Sequence, residues 1–139
     1  SVSDPGNLGT MIRTLDWFGY DQLICSKNSV DCYNTKVIQS TMGSLSRINV
    51  HYVDLYDLIS SSNLPVYGAS VSGRSILEFR EKKDSGIWIF GSESNGISDD
   101  ISKLIDQNYC IPKGSNSVKT ESLNLSTSFS IILSFLKLY

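Results

Sequence analysis

Apolar residues recur along this chain at helical spacing, then in short strand-like runs, and the two patterns keep alternating to its end. Leu8, Ile12, Leu15 and Phe18 fall three or four apart, which predicts a helix over Gly6 to Phe18, with Pro5 before it and Gly19 ending it. Gln22 to Ser26 reads as a short buried strand, Asn34 to Met42 as a second helix and Val50 to Val53 as a second strand. Asp54 caps a helix through Ser61 that turns Leu55, Leu58 and Ile59 inward. Pro65 to Ser70 follows as a strand, with a turn at Ser72-Gly73. Gly86 to Phe90 carries Ile-Trp-Ile-Phe without alternation, the mark of a central strand covered on both faces. Ser98 caps a helix through about Ile105, with Asp99 and Asp100 at its positive end. Tyr109 to Ile111 is the last strand and Leu123 to Leu138 the last helix.

This alternation predicts an α/β fold, a parallel sheet flanked by helices. No internal repeat or long linker divides the 139 residues, so one domain is expected. Ligands on such sheets gather beyond the carboxyl ends of the strands. The composition, 40% hydrophobic and 19% charged, is that of a globular chain. Twelve basic against fourteen acidic residues give a net charge of −2, which argues against a self-sufficient nucleic-acid platform. Lys113 and Lys119 flank Gly114-Ser115-Asn116-Ser117, whereas Arg80-Glu81-Lys82-Lys83-Asp84 reads as a solvated turn. Phe129 to Tyr139 is too short and too polar to span a membrane, and no signal peptide opens the chain. Cys25, Cys32 and Cys110 form no CxxC pair and read as reduced thiols of a cytosolic protein.

Three polar clusters interrupt this pattern where strands or loops should pass into helices. They are Asp4-Pro5-Gly6-Asn7-Leu8-Gly9 with Arg13 beyond, Phe90-Gly91-Ser92-Glu93-Ser94-Asn95-Gly96, and Glu121-Ser122-Leu123-Asn124. Glycines there permit close backbone approach to a ligand, and helix starts offer unpaired N–H groups. Together they predict a composite site built from distant segments. Common chemistries fall away. Gly91 to Gly96 has P-loop glycine spacing, but Ile97-Ser98 stands where Lys and Ser/Thr are required. No G-x-G-x-x-G opens the first helix, and no G-x-S-x-G elbow exists. Asn124-Leu125-Ser126 is a chance sequon, and the lone His51 sits in a strand, unsuited to a zinc site or a Ser–His–Asp triad.

What remains resembles a family. Asp4 through Thr14, Ile89 through Ser98, and Ile111-Pro112 followed by Glu121-Ser122-Leu123-Asn124-Leu125-Ser126 are similar to motifs one, two and three of the SpoU (TrmH-type) RNA 2′-O-ribose methyltransferases of the SPOUT superfamily. The resemblance covers essentially the whole chain, in the right motif order. It implies a C-terminal trefoil knot, a homodimer, S-adenosylmethionine held in the knot, and a ribose of rRNA or tRNA as substrate, without a metal or a membrane. The chain departs from the pattern in two places. The interval from Ile111-Pro112 to Ser122 is longer than usual, with Gly114-Ser115-Asn116-Ser117-Val118-Lys119 extra. Residues 1–139 also begin at motif one, so a leading strand and any N-terminal RNA-binding domain are expected to be missing from this catalytic domain.

The resemblance assigns Asn7, Arg13, Glu93, Ser122 and Asn124 to the catalytic group, and Ala69, Gly91, Ile111 and Leu123 to the cofactor. Arg13, six residues after Asn7, is expected on the same side of the first helix. A guanidinium stays protonated, so Arg13 suits a phosphate clamp and oxyanion stabiliser better than a base. The bland alternative is a surface salt bridge with Asp16. Glu93 is expected to orient Asn7 or Arg13, or to be a plain helix-entry acid. Ser122 and Asn124 are expected to bond substrate, with helix capping the alternative for Ser122. Two rival functions stand beside ribose methylation: a non-catalytic SPOUT-like module that dimerises or binds RNA, and a base methyltransferase of the same superfamily. The five intact polar residues argue against the first, and Glu121-Ser122-Leu123-Asn124 against the second.

Overall fold

A computed structural model describes residues 1–80, 86–116 and 119–138. Most of the expected turn at Arg80–Asp84, and Ser117 and Val118 of the lengthened loop, lie outside the described residues. Helix α1 spans Pro5–Trp17, starting one residue earlier than expected because Asp4 is its cap, its Oδ1 accepting from the Asn7 N–H at 2.7 Å. Its inward face is Leu8, Met11, Ile12 and Leu15. Strand β1 (Gln22–Ser26) leads to α2 (Thr35–Thr41), capped by Asn34, and then to β2 (Asn49–Val53). Asp54 caps α3 (Leu55–Ser60), whose Ile59 is fully inside. The order closes with β3 (Val66–Ser75), β4 (Ile87–Phe90), α4 (Asp99–Ser102), β5 (Gln107–Cys110) and α5 (Leu125–Leu138).

All the strand pairings are parallel: β1 lies against β2, and β3 lies between β4 and β5. The α/β architecture expected from alternation is therefore present, with several local corrections. The central strand of the three-stranded group is β3, and β4 is at its edge. Residues of β4 are nonetheless packed on both sides, Trp88 among aromatics and Ile87 and Ile89 among aliphatics. Strand β1 is buried on one face alone, because Ile24 is 43% exposed. No turn forms at Ser72-Gly73. The strand instead runs through to Ser75, with an irregularity between Ala69 and Arg74 against β5. Gly73 adopts φ 141°, and a Cβ there would stand 2.5 Å from the Asn108 carbonyl oxygen, so glycine permits a bulge where a turn was expected. Helix α4 stops at Ser102, and Ser98 caps it without a side-chain bond. The chain must turn at once into β5, with Asp106 Oδ2 accepting from the Val66 N–H at 2.8 Å.

Helix α5 ties the structure together. Phe129 and Leu133 join the core of α1, β1 and α2, while Ile132 and Leu136 join an aromatic core of Tyr67, Phe79 and Tyr109. Phe79 meets Tyr67 and Tyr109 edge-on, both at 5.2 Å between ring centres. Gly9 serves this packing and not a ligand: a Cβ there would overlap Ser40 Oγ of α2. The three thiols are free, and burial pushes Cys25 up to about 11, the range of an inert core thiol.

Candidate functional site

The middle of β3 and the carboxyl ends of β4 and β5 open onto one cavity of about 720 Å³. Its walls include residues 69–71 within β3, 90–93 and 96–97 from the end of β4 onward, 111–114 after β5, and 120–125 leading into α5. Gly91 leaves β4 where a Cβ would overlap the backbone of Gly96, and Ser92 and Gly96 exchange two backbone hydrogen bonds of 2.8 and 3.0 Å. That tight loop holds Glu93 at the cavity wall. Ala69, Gly91, Ile111 and Leu123 all line the cavity, as do Glu93, Ser122 and Asn124. Segments as much as 63 positions apart (69 to 132) therefore meet in one place, among them the second and third of the three clusters.

Asn7 reaches this wall from α1. It is buried, and its Nδ2 donates to Glu93 Oε1 at 2.8 Å. Burial pushes the Glu93 carboxyl up, but hydrogen bonds from the Asn7 amide and from the backbone of Glu93, Ser3 and Asp4 outweigh it. The carboxyl is held below its ordinary value and is ionised near neutrality. Of the two partners considered for Glu93, the bonded one is Asn7.

Arg13 is elsewhere. Six residues at 3.6 per turn leave it about 120° short of two full turns from Asn7, so the shared face expected for the pair does not exist. Asn7 is buried, whereas Arg13 is exposed and outside the cavity lining. The alternative considered for Arg13, a salt bridge with Asp16, does not form either. Asp16 accepts from Arg47 Nη2 at 2.7 Å and Nε at 3.0 Å, and these bonds, with one from Ser44, hold its carboxyl below the ordinary value. No ion pair of Arg13 occurs among the described residues.

At the other wall, Asn124 caps α5. Its Oδ1 accepts from the Ser126 N–H at 2.9 Å, the Ser126 hydroxyl at 2.8 Å and the Thr127 N–H at 3.3 Å. Helix α5 thus begins at Leu125, two residues later than expected, and the capping considered for Ser122 belongs to Asn124. Ser122 is exposed on the approach. Lys113 Nζ donates to the Thr120 carbonyl at 2.7 Å, bracing the lengthened loop across its base.

Sequence reasoning passed over Asn108 and Ser128, which also line the cavity. Each left a signal: an asparagine is disfavoured inside a strand, and Ser128 stands one turn beyond Asn124 on the same helix. His51 is exposed on β2, away from the cavity lining. No cluster of His, Cys, Asp and Glu able to hold a metal ion, and no helix long and apolar enough to cross a membrane, occurs among the described residues.

The sequence model of the SpoU rRNA Methylase family matches residues 1–134. The chain is 30% identical over 140 residues to the 23S rRNA (guanosine(2553)-2′-O)-methyltransferase RlmP of Bacillus subtilis, covering 99% of this chain and 55% of that relative. A TrmH-family structure from Porphyromonas gingivalis superposes with a TM-score of 0.89 at 34% identity, over 97% of this chain and 55% of that one. An AdoMet-bound rRNA methyltransferase from Sinorhizobium meliloti gives 0.86 at 26% identity, over 98% and 52%. The chain spans about half the length of these curated relatives, RlmP of B. subtilis and RlmB of Neisseria meningitidis.

Proposed function

The chain belongs to the SpoU rRNA methylase family, and we propose that it carries the catalytic domain, residues 1–139, of an S-adenosylmethionine-dependent RNA 2′-O-ribose methyltransferase. One observation carries this reading: the second and third motif clusters line a single cavity, and the first is tied to its wall by the Asn7–Glu93 hydrogen bond. The reaction is read from the B. subtilis relative, a 2′-O-methyltransferase of 23S rRNA, and the cofactor from the AdoMet-bound S. meliloti structure.

The residues present fit the cofactor. A cavity of about 720 Å³ lies within the usual small-molecule range of about 300–1,000 Å³. Ile111 and Leu123 offer an apolar slot for adenine, Ala69 and Gly91 offer strand-end backbone, and the Glu93 carboxylate lies on the same wall. When bound, the cofactor supplies an electrophilic methyl on a sulfonium sulfur. Holding the ribose in line and drawing off its hydroxyl proton fall to the protein and solvent. Glu93, held ionised, fixes the Asn7 amide by accepting one of its two N–H bonds, which leaves the other for substrate. Asn124 commits its Oδ1 to the cap, so its Nδ2 is the atom available for substrate. Ser122, exposed beside it, offers a hydroxyl. Arg13 clamps a phosphate and stabilises the oxyanion, which is supported by a guanidinium without an ion pair among the described residues.

Arg13 stands clear of the cavity formed by its own chain, and a homodimer would bring it back to one. The dimer reading is supported by the outer faces of α1 and α5, which share a 3.0 Å contact between the Thr14 and Ser130 hydroxyls and leave Trp17 84% and Leu138 66% exposed. We also propose the trefoil knot of the superfamily, because residues 111–114 and 120–124 wall the same cavity as the loop after β4 before the chain enters α5. Free thiols support a reducing, cytoplasmic setting. Calorimetric titration with S-adenosylmethionine, with and without a chelator, tests the cofactor assignment. The same saturable heat is expected in both, and a folded sample that binds no cofactor defeats the reading.

A further inference from the structure

We infer that Tyr33, with the exposed Lys36 three residues on, is a stacking platform for a nucleobase of the RNA strand flanking the target ribose; this rests on the proposed RNA methyltransferase reading. The ring is 72% exposed, and among the described residues it has no aromatic partner and its hydroxyl no hydrogen bond. An aromatic face this open is free to take a planar partner.

The loop that carries it is held on both sides. Asp31 Oδ1 accepts from the Tyr33 N–H and the Asp31 carbonyl from the Asn34 N–H, both at 3.0 Å. The neighbouring Cys32 is buried, and its N–H donates to Tyr52 Oη at 2.7 Å. Tyr52 in turn donates to the Val30 carbonyl at 2.7 Å. The backbone beneath the ring is thus fixed before any ligand arrives, so little ordering cost attaches to stacking on it.

The same loop is stitched to the site. The Val30 N–H donates to the Val2 carbonyl at 2.8 Å, and the Val2 N–H to Ser29 Oγ at 3.1 Å. Two residues on, Asp4 Oδ1 accepts from the Asn7 N–H at 2.7 Å, and the Asn7 side chain donates to Glu93 Oε1 at 2.8 Å. Tyr33 is three residues past Val30, at most about 10 Å of chain from this backbone junction. Lys36 is exposed one turn on and unpaired among the described residues, while Lys27 is 3.9 Å from Asp54. An aromatic face with a cation beside it is the pairing that single-stranded RNA recognition uses, base on ring and phosphate on ammonium.

The test uses the full-length protein, total RNA from cells lacking its gene, and radiolabelled S-adenosylmethionine. Anisotropy of a labelled single-stranded RNA reads binding separately from transfer. Tyr33→Ala is expected to raise KM for RNA and the RNA Kd about tenfold, with kcat and cofactor affinity within twofold of wild type. Tyr33→Phe keeps the ring and is expected to behave as wild type. Tyr33→Ala with unchanged RNA binding overturns the inference, as does a Phe variant as damaged as Ala. An Ala variant altered only in oligomeric state also overturns it, by assigning the ring to a protein interface. A wild-type protein that binds RNA but transfers no methyl defeats the proposed reaction instead, and the Kd of the variants still decides the role of Tyr33.

Discussion

Removing either end of the Asn7–Glu93 hydrogen bond is expected to have unequal consequences, because its two ends lie in different surroundings. Asn7 is 7% exposed, whereas Glu93 is open to solvent on one side. In Glu93→Ala the buried amide loses its acceptor, a loss of about 1–3 kcal/mol. In Asn7→Ala the carboxylate keeps its backbone donors and regains water, so about 1 kcal/mol or less is expected. A double-mutant cycle should return a coupling of about 1 kcal/mol, at the low end for a charged hydrogen bond because the acceptor is partly hydrated. The coupling also carries a sign in pH. Glu93 has a folded value below its ordinary 4.5, so its contribution is complete above about 4.5 and is lost as pH falls through the lower folded value. Urea unfolding followed by tryptophan fluorescence at pH 7 and at pH 3 measures all four proteins. Additive single effects at pH 7, or a coupling that strengthens on acidification, would refute the reasoning.

Other outcomes follow from the same geometry. Arg13→Ala should leave cofactor affinity unchanged and lower methyl transfer about 10²-fold or more, with Arg13→Lys recovering little; single-turnover transfer beside calorimetry reads both. Asn124→Ala should destabilise the domain by about 1 kcal/mol in urea, since its Oδ1 holds the first turn of α5, and should also slow transfer if its Nδ2 meets substrate. Gly91→Ala would drive a Cβ into the Gly96 backbone and should weaken cofactor binding, whereas Gly9→Ala should lower stability through the α1–α2 contact and spare the affinity of whatever protein folds.

Much of the fold was legible because its start signals are local. Asp4, Asn34 and Asp54 cap helices by short side-chain bonds within three residues, so the sequence announces each start to within a residue. Strand order is not local. Ile-Trp-Ile-Phe shows burial on two faces, yet nothing in the run reveals that β3 would be the strand between two neighbours. Gly73 looks like a turn residue in isolation and becomes a bulge because Asn108 lies 35 positions away. The site divides in the same way. Many of its cavity residues follow β4 and β5, where the α/β pattern places them, and all four assigned to the cofactor line the cavity, Ala69 from within the longer β3. The partner of Asp16 could not be read from nearby positions, because Arg47, 31 residues on, offers two guanidinium nitrogens at once. The facing of Asn7 and Arg13 was within reach of arithmetic alone, since a spacing of six does not close two turns.

The most direct test of the central claim is to locate the methyl group after transfer. The full-length protein is incubated with radiolabelled S-adenosylmethionine and RNA from cells lacking its gene, and the product is hydrolysed in alkali. A 2′-O-methyl blocks cleavage of the neighbouring phosphodiester, so the account predicts that the label survives in alkali-resistant dinucleotides and, after full digestion, in a 2′-O-methylnucleoside. Label released on a methylated base would contradict the ribose assignment, and cofactor binding without label in any RNA would contradict the enzyme.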